Sequence, residues 1–379
     1  MTDSPPLSLY IHIPWCVRKC PYCDFNSHQN KTTILPEKTY INCLIQDLMH
    51  DLQQFNITQP LHSIFIGGGT PSLFNASSFD RLLATIDHHW GIPSGIEITL
   101  EANPGTVEQQ RFTNYRNIGI NRLSLGIQSF ADEKLKTLGR IHSGNEAIRA
   151  VKLAQDAGFT NINLDLMFGL PQQSIQQGLN DLQQAQTLQP QHISWYQLTL
   201  EPNTIFYKKP PKLPNDDDIF TLQQLGQSYL AENGFLQYEI SAYAKTAYQC
   251  QHNKNYWQFG DYIGIGAGAH GKISLANTDI IRTRKIKQPD RYLATNKFIA
   301  TKVSLTENDL AFEYMLNALR LNAPVSLKDF TYKTGLANHY IKPQLEQAEN
   351  KKLLKQENGY LIKTSLGQRF LNDLLSLFL

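Results

Sequence analysis

Between residue 7 and about residue 200 the sequence alternates short apolar runs with longer amphipathic ones, and few architectures accommodate that order. Runs at 7–13, 63–66, 97–100, 122–126, 161–166 and 192–198 have the length and content of buried strands. Helical periodicity fills the intervals at 40–52, 78–89, 107–117, 146–157 and 175–186, with Gly119 and Gly158 placed as C-terminal caps. Strands separated by helices pair in parallel through right-handed crossovers. Six such units predict an α/β fold: a partial (β/α)6 barrel, short of the eight strands of the closed form. In that architecture ligands sit at the carboxyl ends of the strands.

Three of the five cysteines crowd together just after the first strand, in Cys16-Val-Arg-Lys-Cys20-Pro-Tyr-Cys23. A disulfide framework needs an even set spread along a small exported chain, so this spacing reads as metal ligation. A structural zinc site closes its tetrahedron with a fourth Cys or His, for which His28 is the nearest candidate. An iron–sulfur cubane normally takes four thiolates, and three leave one iron open to a small molecule.

Composition narrows the setting. With 379 residues, 41% hydrophobic and 18% charged, the chain suits a soluble protein of one large domain and an appended smaller one, or of two or three ordinary ones. A formal charge of +2 removes the electrostatic argument for nucleic acid. The start lacks the basic and apolar regions of a signal peptide, and no stretch reaches the ~18 apolar residues of a membrane span. A reducing cytoplasmic setting is therefore expected, which keeps Cys43 and Cys250 as thiols.

Each predicted strand end carries something unusual. Gly67-Gly68-Gly69-Thr70-Pro71 suits either a tight turn or close backbone approach to a ligand. Glu101, in Glu101-Ala-Asn-Pro104, could be solvated, cap the next helix, or accept both hydroxyls of a ribose. Gln128 closes the fourth strand, and Arg140 follows twelve residues later. Asp165, between apolar neighbours in Asn163-Leu-Asp165-Leu, must be hydrogen-bonded to backbone or ligand.

In this order the motifs resemble the radical S-adenosylmethionine superfamily: Cys16-x3-Cys20-x2-Cys23 in the context Tyr10-Ile-His-Ile-Pro-Trp15, then the glycine run, Glu101-x-x-Pro104, Gly126-Ile-Gln128 and Asp165. The resemblance implies a [4Fe-4S] cluster on Cys16, Cys20 and Cys23. Its open iron would chelate S-adenosylmethionine, whose reductive cleavage gives a 5′-deoxyadenosyl radical. It further implies that Gly68, Gly69 and Thr70 meet the cofactor's amino group and that Glu101 takes its ribose. Arg140 would meet its carboxylate, Gln128 and Asp165 would reach the cofactor, and Tyr10 would pack beside it.

Residues 201–218 break the periodicity with a proline-rich connection, ending in Asn215-Asp-Asp-Asp218 as a helix cap. Beyond it stand Cys250 and His252-Asn253-x-x-Tyr256-Trp257, which suit either a packed core surface or the seat of a planar tetrapyrrole. A strand-like glycine run at 260–271 suggests backbone lying close to cluster or substrate. Three helical patterns and a hairpin turned at Glu357-Asn358-Gly359 then make a winged-helix-like module, with the apolar residues 371–379 packed on it. The predicted division is 1–214 for the barrel, 215–304 for an extension carrying the histidine motif, and 305–379 for the helical module.

Taken whole, the chain resembles the coproporphyrinogen dehydrogenase-like branch of that superfamily. The dehydrogenase members carry a fourth cysteine where this chain has Phe25, and a longer segment ahead of the cluster than the fifteen residues before Cys16. The segment His252-Asn253-x-x-Tyr256-Trp257 resembles the heme-associated motif of the branch's heme chaperones. That resemblance implies heme as a third cofactor, contacted by His252, Asn253, Tyr256 and Trp257, with Cys250 as an alternative to His252. It implies heme-accepting proteins as partners, with respiratory, membrane-associated proteins as candidates, and allows a homodimer and a cytoplasmic protein peripheral to the inner membrane. The alternative is oxygen-independent decarboxylation of coproporphyrinogen III.

Overall fold

The computed structural model describes residues 5–30, 34–106, 109–275 and 279–379. Six parallel strands form the frame: β1 (Leu7–Ile13), β2 (Leu61–Gly68), β3 (Glu97–Ala102), β4 (Arg122–Gln128), β5 (Ile162–Phe168) and β6 (His192–Gln197). Each pairs with the next in sequence, as the alternation of runs requires. Between them run α1 (Glu37–Gln54), α2 (Ala76–His89), α3 (Gln109–Asn117), α4 (Gly144–Asp156) and α5 (Ile175–Thr187). The first two residues of the predicted helix at 107–117 lie outside the described residues. Ser143 and Ser174 start α4 and α5 with capping boxes, and Gly119 and Gly158 hold the left-handed turns that stop α3 and α4.

Period-two alternation sorts every strand into two faces. Leu7, Leu9 and Ile11, Ile64 and Ile66, Leu123 and Leu125, and Leu164 and Leu166 are fully buried in the main hydrophobic core with the helices. The intervening positions are polar: Ser8 and His12, Ser63, Thr99 and Glu101, Arg122 and Ser124, Asn163 and Asp165, His192 and Ser194. Hydrogen bonds across neighbouring strands engage most of them, including Ser8 Oγ to Ser63 Oγ (2.8 Å), Asn163 Nδ2 to Ser124 Oγ (2.7 Å) and His192 Nδ1 to Asn163 Oδ1 (2.6 Å), while Thr99 Oγ1 and Arg122 Nε have no hydrogen-bond partner among the described residues. The inner surface of the sheet is thus a polar lining rather than a packed apolar core.

The sheet is larger than the six strands predicted. It has twelve, because residues 236–304 extend both edges. After α6 (Asp216–Glu232), capped by Asn215, come the short strands β7 (Leu236–Glu239) and β8 (Ala242–Ala244), of which β8 adds antiparallel to β6 and β7 antiparallel to β8. A helix, α7 (Gln251–Trp257), precedes β9 (Asp261–Ile265), which pairs in parallel with β1 from Leu7↔Asp261 to Ile11↔Ile265. β10 (His270–Ser274), β11 (Ile280–Lys285) and β12 (Ile299–Ser304) follow in antiparallel order. Without β9 the first strand would be an open edge, and such edges invite pairing with other chains.

The glycines of the 260–271 run answer first to this packing. A Cβ on Gly264 would stand 2.0 Å from the His270 carbonyl oxygen, and one on Gly268 (φ +81°) 2.3 Å from the Asn26 amide. Their close approach is to the chain's own β10 and to the loop carrying the three cysteines. Behind β11, Lys285 is fully buried between two carboxylates of α1, 2.5 Å from Asp47 and 2.7 Å from Asp51. Asp47 also accepts from Tyr292 Oη (2.6 Å) and the Gly266 amide (3.1 Å), so one network clamps α1 to this end of the sheet.

The C-terminal module packs around its own hydrophobic cluster. It comprises α8 (Glu307–Ala318), α9 (Leu327–Thr334) and α10 (Lys342–Asn350), then the hairpin Leu354–Glu357 with Tyr360–Lys363. Asn358 and Gly359 both have positive φ, the demand of a tight hairpin turn, and Val325–Ser326 adds a third strand. Leu371, Leu374 and Phe378 bury their side chains in the same cluster.

Candidate functional site

At the carboxyl ends of the parallel strands lies a cavity of ≈ 480 Å³. The loop after β1 forms one wall and presents Cys16, Cys20 and Cys23, none of them in a disulfide. Backbone bonds pin this loop shut: His28 N–H to the Pro14 carbonyl (2.7 Å), Asn30 N–H to Cys16 (2.8 Å) and Cys23 N–H to Cys20 (3.2 Å). Lys19 Nζ donates across it to the carbonyls of Phe25 and Ser27, and Asn26 Nδ2 ties it to Ala267 and Lys287. Burial pushes the Cys16 thiol up to about 11 against a bond with Thr70, and burial also raises Cys23. Among the described residues no group of three Cys, His, Asp or Glu side chains is placed to hold a single metal ion.

The opposite walls come from successive strand ends. Gly68, Gly69 and Thr70 line the cavity, but the glycines are required by the protein itself. A Cβ on Gly68 (φ +114°) would stand 2.4 Å from the His12 ring, and one on Gly69 2.6 Å from the Trp15 carbonyl oxygen. The Gly68 amide donates to Glu101 Oε2 at 2.9 Å. Burial, then the nearby Asp165, pushes Glu101 up to about 7. Asp165 is held by side chains rather than by backbone, with Ser124 Oγ at 3.0 Å and Asn163 Nδ2 at 2.8 Å, and burial raises it as well.

Gln128 reaches this wall through a register shift between Gly126 and Gln128 that leaves its φ at +72°, the re-aiming that a bulge provides. Its Oε1 accepts from Tyr196 Oη at 2.8 Å. Arg140 bridges the walls, donating to Asn103 Oδ1 and the Gly126 carbonyl, with Nη1 3.8 Å from Cys20 Sγ. Asn103 in turn donates to Thr70 Oγ1 at 2.7 Å. Asn103 and Tyr196 were not foreseen; the signal for Tyr196 was its place two residues beyond Ser194 on the polar face of β6.

Tyr10 stands on a second cavity of ≈ 430 Å³, which shares Asp24, Phe25, Gly68 and Glu101 with the first. Tyr256 lines this second cavity, whereas His252, Asn253 and Trp257 line neither. His252, expected from the resemblance to contact heme, is enclosed in this structure. Only 2% of His252 is exposed, near the amino ends of the strands, with Nδ1 3.1 Å from Ser63 Oγ and its ring against Tyr10, Phe65 and Tyr256. Its Nε2 has no partner among the described residues, and burial lowers its pKa to about 3, so the ring is neutral. Cys250 is equally enclosed, its Sγ 3.5 Å from Glu97, whose carboxylate also receives the first amides of α7. Trp257 lies under the Arg320 guanidinium at 4.2 Å.

Glu101 carries a testable consequence. Its value in the folded protein is raised above the ordinary 4.5, so the folded state holds the proton more tightly and is penalised as pH rises from about 4.5 through 7. Glu101→Gln keeps an acceptor for the Gly68 amide and removes that penalty. Thermal unfolding without ligand should show the variant several degrees more stable than the parent at pH 8 and equal to it near pH 4.5. Equal midpoints at both pH values would refute the strained carboxylate.

The description Radical SAM superfamily matches residues 10–185, and HemN C-terminal domain matches residues 305–370. The chain is 50% identical to "Heme chaperone HemW" of Haemophilus influenzae, covering 100% of this chain and 99% of that one. It is 48% identical to the protein of the same description in Escherichia coli, with 100% of both covered. Among solved structures, "Coproporphyrinogen III oxidase (HemN) from Escherichia coli" superposes with a TM-score of 0.84 at 21% identity, covering 99% of this chain and 90% of that one. At that identity the likeness concerns the fold.

Proposed function

Because the chain belongs to the HemW family within the radical SAM superfamily, we propose that it is a heme chaperone, binding a [4Fe-4S] cluster, S-adenosylmethionine and heme and passing heme to acceptor proteins. The observation that carries this reading is convergence. Ten residues from six separate segments, Cys16 to Asp165, line one cavity at the strand ends. The donor set fits the cluster: three thiols on a pinned loop, with the cation of Arg140 beside one of them.

In this reading Cys16, Cys20 and Cys23 would hold the cluster, leaving one iron without a protein ligand. Bound there, the cluster supplies an open Lewis-acidic iron and a single electron. Gly68, Gly69 and Thr70 face the cofactor's amino group, and Arg140 offers its guanidinium to the carboxylate. Glu101 accepts the ribose hydroxyls, which would relieve its crowding with Asp165. Gln128 and Asp165 complete the wall, and Tyr10 closes it on the side of the second cavity. On the heme side, Tyr256 is the residue of His252, Asn253, Tyr256 and Trp257 that reaches a cavity, and His252 backs it within the sheet.

The acceptors in this reading are heme-requiring proteins, including membrane-associated respiratory ones, met in the cytoplasm or at the inner face of the membrane. Among the described residues no helix is long and apolar enough to cross a membrane. Phe25, 61% exposed on the wall of both cavities, occupies the position where the dehydrogenases of this branch carry a further cysteine. Anaerobic reconstitution tests the reading. The expected outcome is a cubane, about one heme per chain and no porphyrin product. Conversion of coproporphyrinogen III to protoporphyrinogen IX by the reduced protein with S-adenosylmethionine would replace it with the enzyme reading.

A further inference from the structure

We propose that heme occupies the second cavity, between the Tyr10, Tyr256 and Tyr262 rings and the β10–β11 hairpin, with His270 as its iron ligand and Arg284 and Lys287 as partners of its two propionates. The proposal rests on the heme-chaperone reading and assigns that ligand its seat. Its volume, ≈ 430 Å³, lies within the range of small-molecule pockets, and the cavity opens beside the first through the shared residues Gly68 and Glu101.

Three features select a flat, partly apolar dianion. The first is the wall. Tyr256 and Tyr262 pack with ring centroids 4.1 Å apart, and Phe25 exposes a large apolar ring at the same cavity, surface that a macrocycle would cover.

The second feature is the choice of iron ligand. Two imidazoles line the cavity. His12 has both nitrogens engaged, Nδ1 with Tyr10 Oη at 2.9 Å and Nε2 with the Asn26 carbonyl at 3.0 Å. His270 is exposed, and its imidazole makes no hydrogen bond among the described residues. Burial and the adjacent arginines keep it neutral, the form that ligates iron. Burial raises Tyr256 and Tyr262, which leaves their phenols protonated and poor ligands.

The third feature is charge. Antiparallel pairing places His270 directly opposite Arg284, so imidazole and guanidinium emerge side by side on one face. Arg284 spends only its Nε, on Thr301 Oγ1 at 3.1 Å, and Lys287 forms no ion pair among the described residues. Both side chains are exposed at the mouth, and a guanidinium and an ammonium there match two carboxylates. Asp24, exposed, and Glu101, which burial pushes up to about 7, are the carboxylates on the same cavity.

The experiment is a hemin titration of the full chain after anaerobic cluster reconstitution, read by the Soret band, with iron and sulfide content as the folding control. His270→Gly should lose the imidazole-ligated spectrum and bind at least about ten-fold more weakly, and free imidazole should restore the spectrum. The double variant Arg284→Glu with Lys287→Glu should weaken binding at least about ten-fold with the spectrum of the bound fraction unchanged. Both sets of side chains are exposed, and if one variant loses its cluster the other still decides. Parental affinity and spectrum in a cluster-loaded variant of either set would place heme elsewhere while leaving the chaperone reading intact. Absence of heme binding by the unmodified chain would instead remove the chaperone reading itself.

Discussion

Replacing any one of Cys16, Cys20 or Cys23 with alanine should reduce iron and sulfide after anaerobic reconstitution from about four of each per chain to below about one. A cubane bound by three protein thiolates has no spare protein ligand, so two remaining thiols would hold two of its irons and leave half the cluster to solvent. Cys43 and Cys250 offer no substitute: the first is buried in α1 and the second lies at the far end of the sheet against Glu97. Cys43→Ala and Cys250→Ser should accordingly keep full iron content, which makes them controls. Because burial raises Cys16 to about 11 and raises Cys23, thiolates must form as iron enters, and reconstitution should be faster at pH 8.5 than at pH 7. Four irons retained in any single alanine variant, by iron analysis and electron paramagnetic resonance, would overturn this account.

Lys285→Met should be the most destabilising substitution outside the site. It leaves Asp47 and Asp51 fully buried without their cation, a situation worth about 3–5 kcal/mol. At roughly 2–4 °C per kcal/mol the thermal midpoint should fall by about 10 °C at pH 7.5. The sign of the pH dependence follows from burial, which already holds Asp47 above its ordinary value and Asp51 at about 7. Removing the ammonium raises both further, so the loss is absent at low pH, where the carboxylates are protonated with or without Lys285, and grows as pH rises through about 7. Adding Asp47→Asn and Asp51→Asn should recover most of the midpoint, since the cost lies in unpaired charge. A midpoint within 1–2 °C of the parent would show that the network contributes little. The consequence reaches the cavities, because Asp47 accepts the Gly266 amide, and the neighbouring Tyr40 hydroxyl bridges the His12 carbonyl and the Ala267 amide.

Much of the frame could be read directly from residue order. The six strands appear within a few residues of their expected bounds because each is an apolar run bracketed by capped helices, and local periodicity carries that information. The cysteine spacing, the glycine run, Glu101, Gln128 and Asp165 were legible for a related reason: in a parallel sheet every strand end faces the same way, so predicting the strands also predicts which residues meet, whereas Arg140, twelve residues beyond β4, was named by the resemblance alone. The glycines were legible as a constraint but not in cause, since what crowds them is the His12 ring and the Trp15 carbonyl.

Residue order by itself therefore determined the βα frame and the set of groups gathered at its carboxyl end, because both depend on short-range periodicity and on chain direction. Tertiary structure alone decided that a glycine-rich segment more than 250 residues away would pair with β1 as a seventh parallel strand. It alone turned His252 inward while bringing His270, Arg284 and Tyr256 to one cavity. Those outcomes depend on strand register and edge pairing between distant segments, and a shift of one residue would send each side chain to the opposite face.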